Sequence, residues 1–323
     1  MQPADNSEES KINLDKHRFK GLNPAFYECS MRHIMAEEML KKSTFKSPFV
    51  AEMKQILRLH HLHSVCESAH CPNIGDCFKK RTATFLILGN SCTRNCRFCN
   101  IVHNENIPLP DPNEPMNLAL AVKDLGLLYT VITSVTRDDL PDCGAAHFAE
   151  TVKKVKELSP ETLVEVLTPD FLGIKENLDI VADSPIDVFN HNVETIPSLY
   201  SKVRPQADYK RSLDVLCYMK RKGFITKSGI MLGVGENIDE VHALMRDLRD
   251  VGCDIMTIGQ YFRPSLQHIP VEKDYTQAEF DALRDYGLSI GFKEVYSGRF
   301  VRSSFNAKEI HQNMIERDIE ISK

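Results

Sequence analysis

Two short stretches concentrate the residues able to do chemistry. CTRNCRFC places Cys92, Cys96 and Cys99 within eight residues, and CESAHCPNIGDC places Cys66, Cys71 and Cys77 within twelve. Together they hold six of the chain's ten cysteines. Each trio falls one thiolate short of the four ligands that a structural zinc ion takes. A 4Fe–4S cube suits Cys92, Cys96 and Cys99 better, with three irons held by cysteine and the fourth left open. An open iron can bind a small molecule through an amine and a carboxylate, so the missing ligand there is read as a substrate. The alternative is a zinc knuckle completed by a distant residue. His60, His61, His63 and His70 lie beside the first trio and are read as surface or supporting residues. Cys29, Cys143, Cys217 and Cys253 are scattered, as small packing residues are.

These clusters must be positioned by the elements around them. From residue 84 onward, β-rich runs alternate with amphipathic helices: 84–89, 129–135, 163–168, 186–193, 226–234 and 254–262. Several are near-continuous apolar runs, as parallel strands covered on both faces are. Between them, Leu118, Ala121, Val122 and Leu125 share one helical face, as do Val241, Leu244, Met245 and Leu248. Six strand–helix alternations imply parallel strands with right-handed crossovers, in an open sheet or part of a barrel. In both, ligands collect at the carboxyl ends of the strands. TRNCRFC follows the first strand and therefore lies on that side. Lys220, Arg221 and Lys222 suit the end of a helix, with a carrier-docking patch as the sharper reading. The organisation expected is an α/β chain: an N-terminal extension over 1–82 with the first trio, a partial (β/α)6 parallel barrel over 83–295, and a C-terminal tail over 296–323.

The chain has 323 residues, a net charge of −5 and a pI near 6.2, so it shows no nucleic-acid footprint. No apolar run approaches the ~20 residues of a membrane span. Asp5, Glu8, Glu9 and Asp15 near the start argue against a transit peptide, and no apolar signal core is present. A cytoplasmic protein with a polar leader is expected, in which ten cysteines indicate metal or redox chemistry rather than disulfides.

The spacing of Cys92, Cys96 and Cys99, with Phe98 before the last cysteine, resembles the radical S-adenosylmethionine (radical SAM) enzymes. The second trio and RSSFNA (302–307) extend the resemblance to the lipoyl synthase family. It continues through TATFLILG, SVTRDDLPD, FNHNVETIPSLYSKVRP, KSGIMLGVGE and GQYFRPSLQHIPVEK, and covers roughly residues 60–310. The resemblance implies two 4Fe–4S clusters. One, on Cys92, Cys96 and Cys99, binds S-adenosylmethionine and cleaves it reductively to a radical. The other, on Cys66, Cys71 and Cys77 with Ser304 as its oxygen ligand, is consumed as the sulfur donor. The radical removes hydrogen from an octanoyl chain amide-linked to a lysine of a carrier protein or domain, such as a lipoyl domain or the glycine cleavage H protein. Acid–base chemistry cannot open such a bond, since no side-chain base can take so weakly acidic a proton. An electron donor and cluster-delivery proteins are implied as further partners.

By the same resemblance, Phe98, Thr133, Ser134, Asn190, Asn192, Glu194 and Arg204 are expected to contact the cofactor, Arg204 through its carboxylate. Arg302 is expected to steady the serine motif, and Gly229, Gly233 and Gly235 to admit close backbone approach. The chain departs from the family's pattern at Phe78, Asn100, Cys143 and Phe305 and in the poorly matching stretch 29–50, none of which removes a cluster ligand. Rival readings are a related radical enzyme acting on another acyl or peptide substrate, and a non-catalytic metal-binding interaction protein.

Overall fold

The apolar runs become parallel strands. The computed structural model describes residues 48–313 other than 69, 70, 72, 81 and 311. They all belong to one compact unit, Thr44–Lys323. The leader, Cys29, His70 and the end of the tail lie outside the described residues.

The six expected strands are β2 (Ala83–Ile87), β5 (Tyr129–Ser134), β6 (Leu163–Leu167), β7 (Val188–Asn190), β8 (Ile225–Leu232) and β9 (Ile255–Gln260). They pair in sequence order, all parallel. Two additions flank them. β1 (His63–Ser64) pairs antiparallel with β2, and β10 (Glu294–Gly298) pairs parallel with β9. β10 reads EVYSG, too short and too polar to announce itself; its register against β9 supplies the ladder that its side chains do not signal. β1 and β10 are the two ends of this eight-stranded sheet, which therefore does not close. A two-stranded ribbon, β3 (Ser91–Cys92) with β4 (Val102–His103), carries the cysteine loop that follows β2.

The helices cover the outer face as their patterns require. Val241, Leu244, Met245 and Leu248 of the helix Ile238–Asp250 are all buried, and Asn237 with Glu240 closes its first turn in a reciprocal capping box. Inside the sheet's curve lies a buried ion pair. Lys227 Nζ reaches Glu165 Oε1 at 3.0 Å, and Tyr129 Oη and Asn190 Nδ2 donate to the same carboxylate at 2.7 Å each.

Beyond β10 the tail returns along the sheet. Gly259 of β9 lets it approach, because a Cβ there would collide with the Val301 carbonyl. Ala307 packs on Tyr129 and Val131, and Ile310 packs on Ile255. Tyr129 and Ile255 open their strands, so the tail runs toward the amino ends of the sheet. The N-terminal segment also grips it: Asn73 Nδ2 donates to the Phe300 carbonyl at 2.7 Å, and Lys80 pairs with Glu309 at 2.8 Å.

Candidate active site

The cysteine loop after β2 is clamped from three sides. Arg94, between Cys92 and Cys96, is buried and forks to two carboxylates. Its Nε and Nη2 donate to Asp138 at 2.7 and 2.9 Å, and its Nη1 and Nη2 donate to Asp170 at 3.0 and 2.6 Å. Burial alone would favour the neutral guanidine, but the two carboxylates overcome it and hold Arg94 charged. Asp170 in turn is kept ionised, its burial outweighed by Arg94. On the second side, the Arg97 amide donates to the Val203 carbonyl at 2.9 Å, and Phe98 packs on Val203, Val234, Tyr261 and Ile269. On the third, His268 Nε2 lies 3.0 Å from the Cys99 carbonyl, and the Ile269 amide donates to Arg97 O at 3.2 Å.

The thiols themselves are set in a water-poor pocket. Two amides, of Arg94 and Thr136, donate to Cys92 Sγ at 3.4 and 3.3 Å. Burial pushes the Cys99 thiol up to about 12, and the neighbouring cysteines add to the shift. Cys96 is also raised by burial, with the Arg204 guanidinium opposing it. The other trio behaves alike. The Cys71 amide bonds to the Cys66 carbonyl at 3.0 Å, folding that segment back on itself. Burial, then repulsion from Cys71, drives Cys77 to about 12 and Cys66 higher.

All of these cysteines are free thiols. Among the described residues, no three His, Cys, Asp or Glu side chains converge tightly enough to share one metal ion. The thiols of each trio still act on one another electrostatically. Three thiols without a fourth suit a 4Fe–4S cluster with one open iron better than a closed four-ligand zinc site, and the positive irons would hold the buried sulfurs as thiolates.

The serine motif follows β10, and Ser303 reaches the carboxyl end of the sheet at Asn192. Ser303 and Ser304 occupy a turn closed by the Phe305 amide on the Arg302 carbonyl at 2.9 Å. Asn192 Nδ2 donates to Ser303 Oγ at 3.2 Å, and Ser304 is half-buried. Arg302 is turned inward, over the Phe262 ring at 5.0 Å, and its charge is felt by both Cys71 and Glu194. Glu194 is felt in turn by Cys96 and Cys99. A charged chain of Glu194 and Arg302 thus spans the space between the two thiol sets.

The remaining sequence-picked residues gather at the carboxyl ends of β5 to β7. Thr133 Oγ1 donates to the Leu167 carbonyl at 2.8 Å. Ser134 Oγ, Thr168 Oγ1, Asn190 Oδ1, His191 Nε2 and Asn192 Oδ1 are buried without hydrogen-bond partners. Such a row of unmet polar atoms is what a polar ligand would satisfy. Glu194 holds a left-handed backbone (φ 65°), rare outside glycine, and burial raises its carboxyl pKa. Arg204 turns toward the protein itself: Nη1 donates to the Asn192 and Val193 carbonyls at 2.9 and 3.3 Å.

Several motifs are absorbed by structure. The amides of Gly233, Val234 and Gly235 all donate to the Glu236 carboxylate, so that glycine loop binds its own side chain. Arg137 forks to Asp139, Lys220 pairs with Asp254, and Lys222 pairs with Asp179. Cys143 is buried with its thiol raised by burial, and its left-handed backbone (φ 53°) explains why the resembling family puts glycine there. Sequence reasoning missed Arg94, Asp170 and His268. An arginine inside the cysteine loop, with the acids of RDD and TPD after the next two strands, was the available signal for the first two. Nothing local marked His268.

Comparison with known proteins follows the same lines. The Radical SAM superfamily model matches residues 86–248. The chain is 49 % identical over 279 residues to a lipoyl synthase of Thioalkalivibrio sulfidiphilus, covering 85 % of this chain and 87 % of that one. It is 53 % identical over 257 residues to a lipoyl synthase of Caldanaerobacter subterraneus, covering 79 % and 90 %. Among solved structures, Streptococcus suis SuiB bound to S-adenosylmethionine aligns with a TM-score of 0.51 at 15 % identity, over 67 % of this chain and 50 % of that one. HydG, a hydrogenase maturase, aligns at 0.50 with 13 % identity, over 85 % and 73 %. At such identity these last two share the fold alone.

Proposed function

The chain belongs to the lipoyl synthase family of radical SAM enzymes, and from that premise we propose how its residues divide the work. The reaction is the insertion of two sulfur atoms into the octanoyl chain of an octanoyl-lysyl carrier, and the cofactors are two 4Fe–4S clusters and S-adenosylmethionine. When bound, S-adenosylmethionine and its cluster supply hydrogen-atom abstraction from unactivated carbon, and the other cluster supplies sulfur.

In this reading Cys92, Cys96 and Cys99 hold the first cluster. The amides on Cys92 Sγ stabilise its thiolate, and the Arg94 fork keeps the loop from shifting. Phe98, Thr133, Ser134, Asn190, Asn192 and Glu194 form the cofactor's cradle. Arg204 shapes it by fixing the 192–193 backbone. Cys66, Cys71, Cys77 and Ser304 hold the second cluster. The observation that supports this division is the course of the tail: the Arg302 guanidinium lowers the pKa of Cys71, and the next residue, Ser303, accepts a hydrogen bond from Asn192. The family resemblance makes Ser304 the serine that ligates iron, while its neighbour Ser303 accepts a hydrogen bond from Asn192. An alkoxide is harder than a thiolate and less matched to iron–sulfur chemistry, which suits a ligand released when the cluster comes apart.

The carrier is a lipoyl domain or the glycine cleavage H protein; an electron donor and cluster-delivery proteins complete the set of partners. Among the described residues no helix is long and apolar enough to cross a membrane, and a cytoplasmic site of action is the reading adopted. The test is anaerobic incubation with an octanoyl-lysine peptide, S-adenosylmethionine and reductant, read by mass spectrometry, on protein reconstituted with isotope-labelled sulfide. Label in the product supports a sulfur-donating cluster, and unlabelled product makes it an electron relay. Full sulfur insertion by Ser304→Ala with an intact second cluster would remove Ser304 from its role.

A further inference from the structure

Asn192 stands two residues beyond β7 and is held on every side. Arg204 Nη1 grips its carbonyl at 2.9 Å. The next residues join β8, with the Glu194 amide on the Gly229 carbonyl at 3.0 Å and the Met231 amide on the Glu194 carbonyl at 2.9 Å. Gly229 makes room for its side chain, since a Cβ there would come within 2.9 Å of Asn192 Oδ1. So fixed, Asn192 Nδ2 donates both to Glu194 Oε1 at 3.0 Å and to Ser303 Oγ at 3.2 Å, across 111 residues of chain.

Two other ties flank the serines: Arg302 lies over the Phe262 ring at 5.0 Å, and Asn306 Nδ2 donates to Tyr296 Oη at 2.9 Å. Ala307 and Ile310 seat the tail's far end by apolar packing. The Lys80–Glu309 pair is about half exposed on both sides, a setting in which ion pairs contribute little. Phe305 offers the turn only a ring, 6.2 Å from that of Tyr296. Ser303 and Ser304 share one turn, so a bond that holds the first constrains the backbone that carries the second.

We infer that Asn192 is a positioning residue for the sulfur-donating half of the enzyme: its amide captures Ser303 and thereby turns Ser304 toward Cys66, Cys71 and Cys77. The inference rests on the reading of Ser304 as a ligand of the second cluster. It gives a residue of the cofactor's cradle a second task, directed through its Nδ2 at the tail, and it gives Ser303 a task distinct from its neighbour's.

The test uses the full-length holoenzyme with S-adenosylmethionine bound, comparing Asn192→Ala, Ser303→Ala, the double variant and Ser304→Ala. Two quantities are read: the rate of iron release to a chelator, and the affinity for S-adenosylmethionine. Loss of one buried hydrogen bond should speed iron release about 5–10-fold in each of Asn192→Ala and Ser303→Ala. The double variant should be no faster than either, since one bond cannot be lost twice. S-adenosylmethionine affinity should stay within about twofold in Ser303→Ala, whose lost bond lies on the tail side of Asn192. Additive effects, or weakened cofactor binding with unchanged iron release in Asn192→Ala, would overturn the inference. Ser303→Ala removes one oxygen and keeps the test in force if Asn192→Ala does not fold. If Ser304→Ala releases iron at the parent's rate, the ligand reading itself fails. If Ser304→Ala is fast while Asn192→Ala and Ser303→Ala are not, only the positioning role fails.

Discussion

Replacing Arg94 should dismantle one cluster site and spare the other. The guanidinium makes four charge-assisted contacts to Asp138 and Asp170, and Asp170 is completely buried. In Arg94→Met, Asp170 keeps Arg211, whose Nη1 stands 3.2 Å from Oδ2, and the Leu172 amide, 3.1 Å from Oδ1. Breaking a buried pair by removing one partner costs about 3–5 kcal/mol, most of it the penalty on the stranded charge. At about 2–4 °C per kcal/mol for a chain of this size, the melting temperature should fall by about 6–20 °C. Arg94→Lys keeps a charge but not the double fork and should fall in between. Because the loop carries Cys92, Cys96 and Cys99, iron after anaerobic reconstitution should drop by about half, the remainder sitting on Cys66, Cys71 and Cys77. The assay pairs calorimetry with iron and sulfide analysis. If Arg94→Met melted within about 2 °C of the parent and kept its full iron, the fork would be incidental and the clamping argument wrong.

Three further outcomes follow from the geometry. Lys227→Met should cost about 3–5 kcal/mol by stranding the Glu165 carboxylate inside the barrel, and the double variant Glu165→Gln/Lys227→Met should recover more than half of that in chemical denaturation; equal losses would refute the pairing. His191 is held neutral, burial and then Arg204 lowering its pKa from 6.5 to about 4, so between those values the unfolded chain binds the extra proton. Stability should therefore be complete above the upper value and fall by about 1 kcal/mol between pH 7.5 and 5.5, and His191→Asn should flatten that slope in urea titrations. Gly259→Ala would drive a Cβ into the Val301 carbonyl; it should cost about 1–3 kcal/mol and expose the chain after residue 298 to limited proteolysis, whereas an intact tail would show that the close approach is dispensable.

The parts of the molecule legible in the sequence are those with local signals. Covered parallel strands must be apolar on both faces, so 129–135 and 254–262 could be read directly. The two thiol trios are each held within a dozen residues, and their spacing alone narrows the chemistry. What escaped depends on partners far along the chain. β10 is a strand because β9 lies beside it, not because EVYSG prefers that state. Arg94 is an anchor because two later loops bring Asp138 and Asp170 to it. Arg204 also bonds the Asn192 and Val193 carbonyls through Nη1, a contact that no local pattern in the sequence announces. The path of the tail is hinted at only by RSSFNA; it is set by Gly259, Asn73 and Asn192, the last two touching it across more than a hundred residues.

The returning tail also imposes an order on biosynthesis. Cys66, Cys71 and Cys77 leave the ribosome more than two hundred residues ahead of Ser304, and the helix that bears Cys77 has no tail to grip until the residues beyond β10 are made. A nascent chain can thus complete its sheet before the segment that holds the tail has anything to hold. A chain cut directly after β10 would keep every strand yet leave Asn73, Lys80 and Asn192 without their partners in the tail.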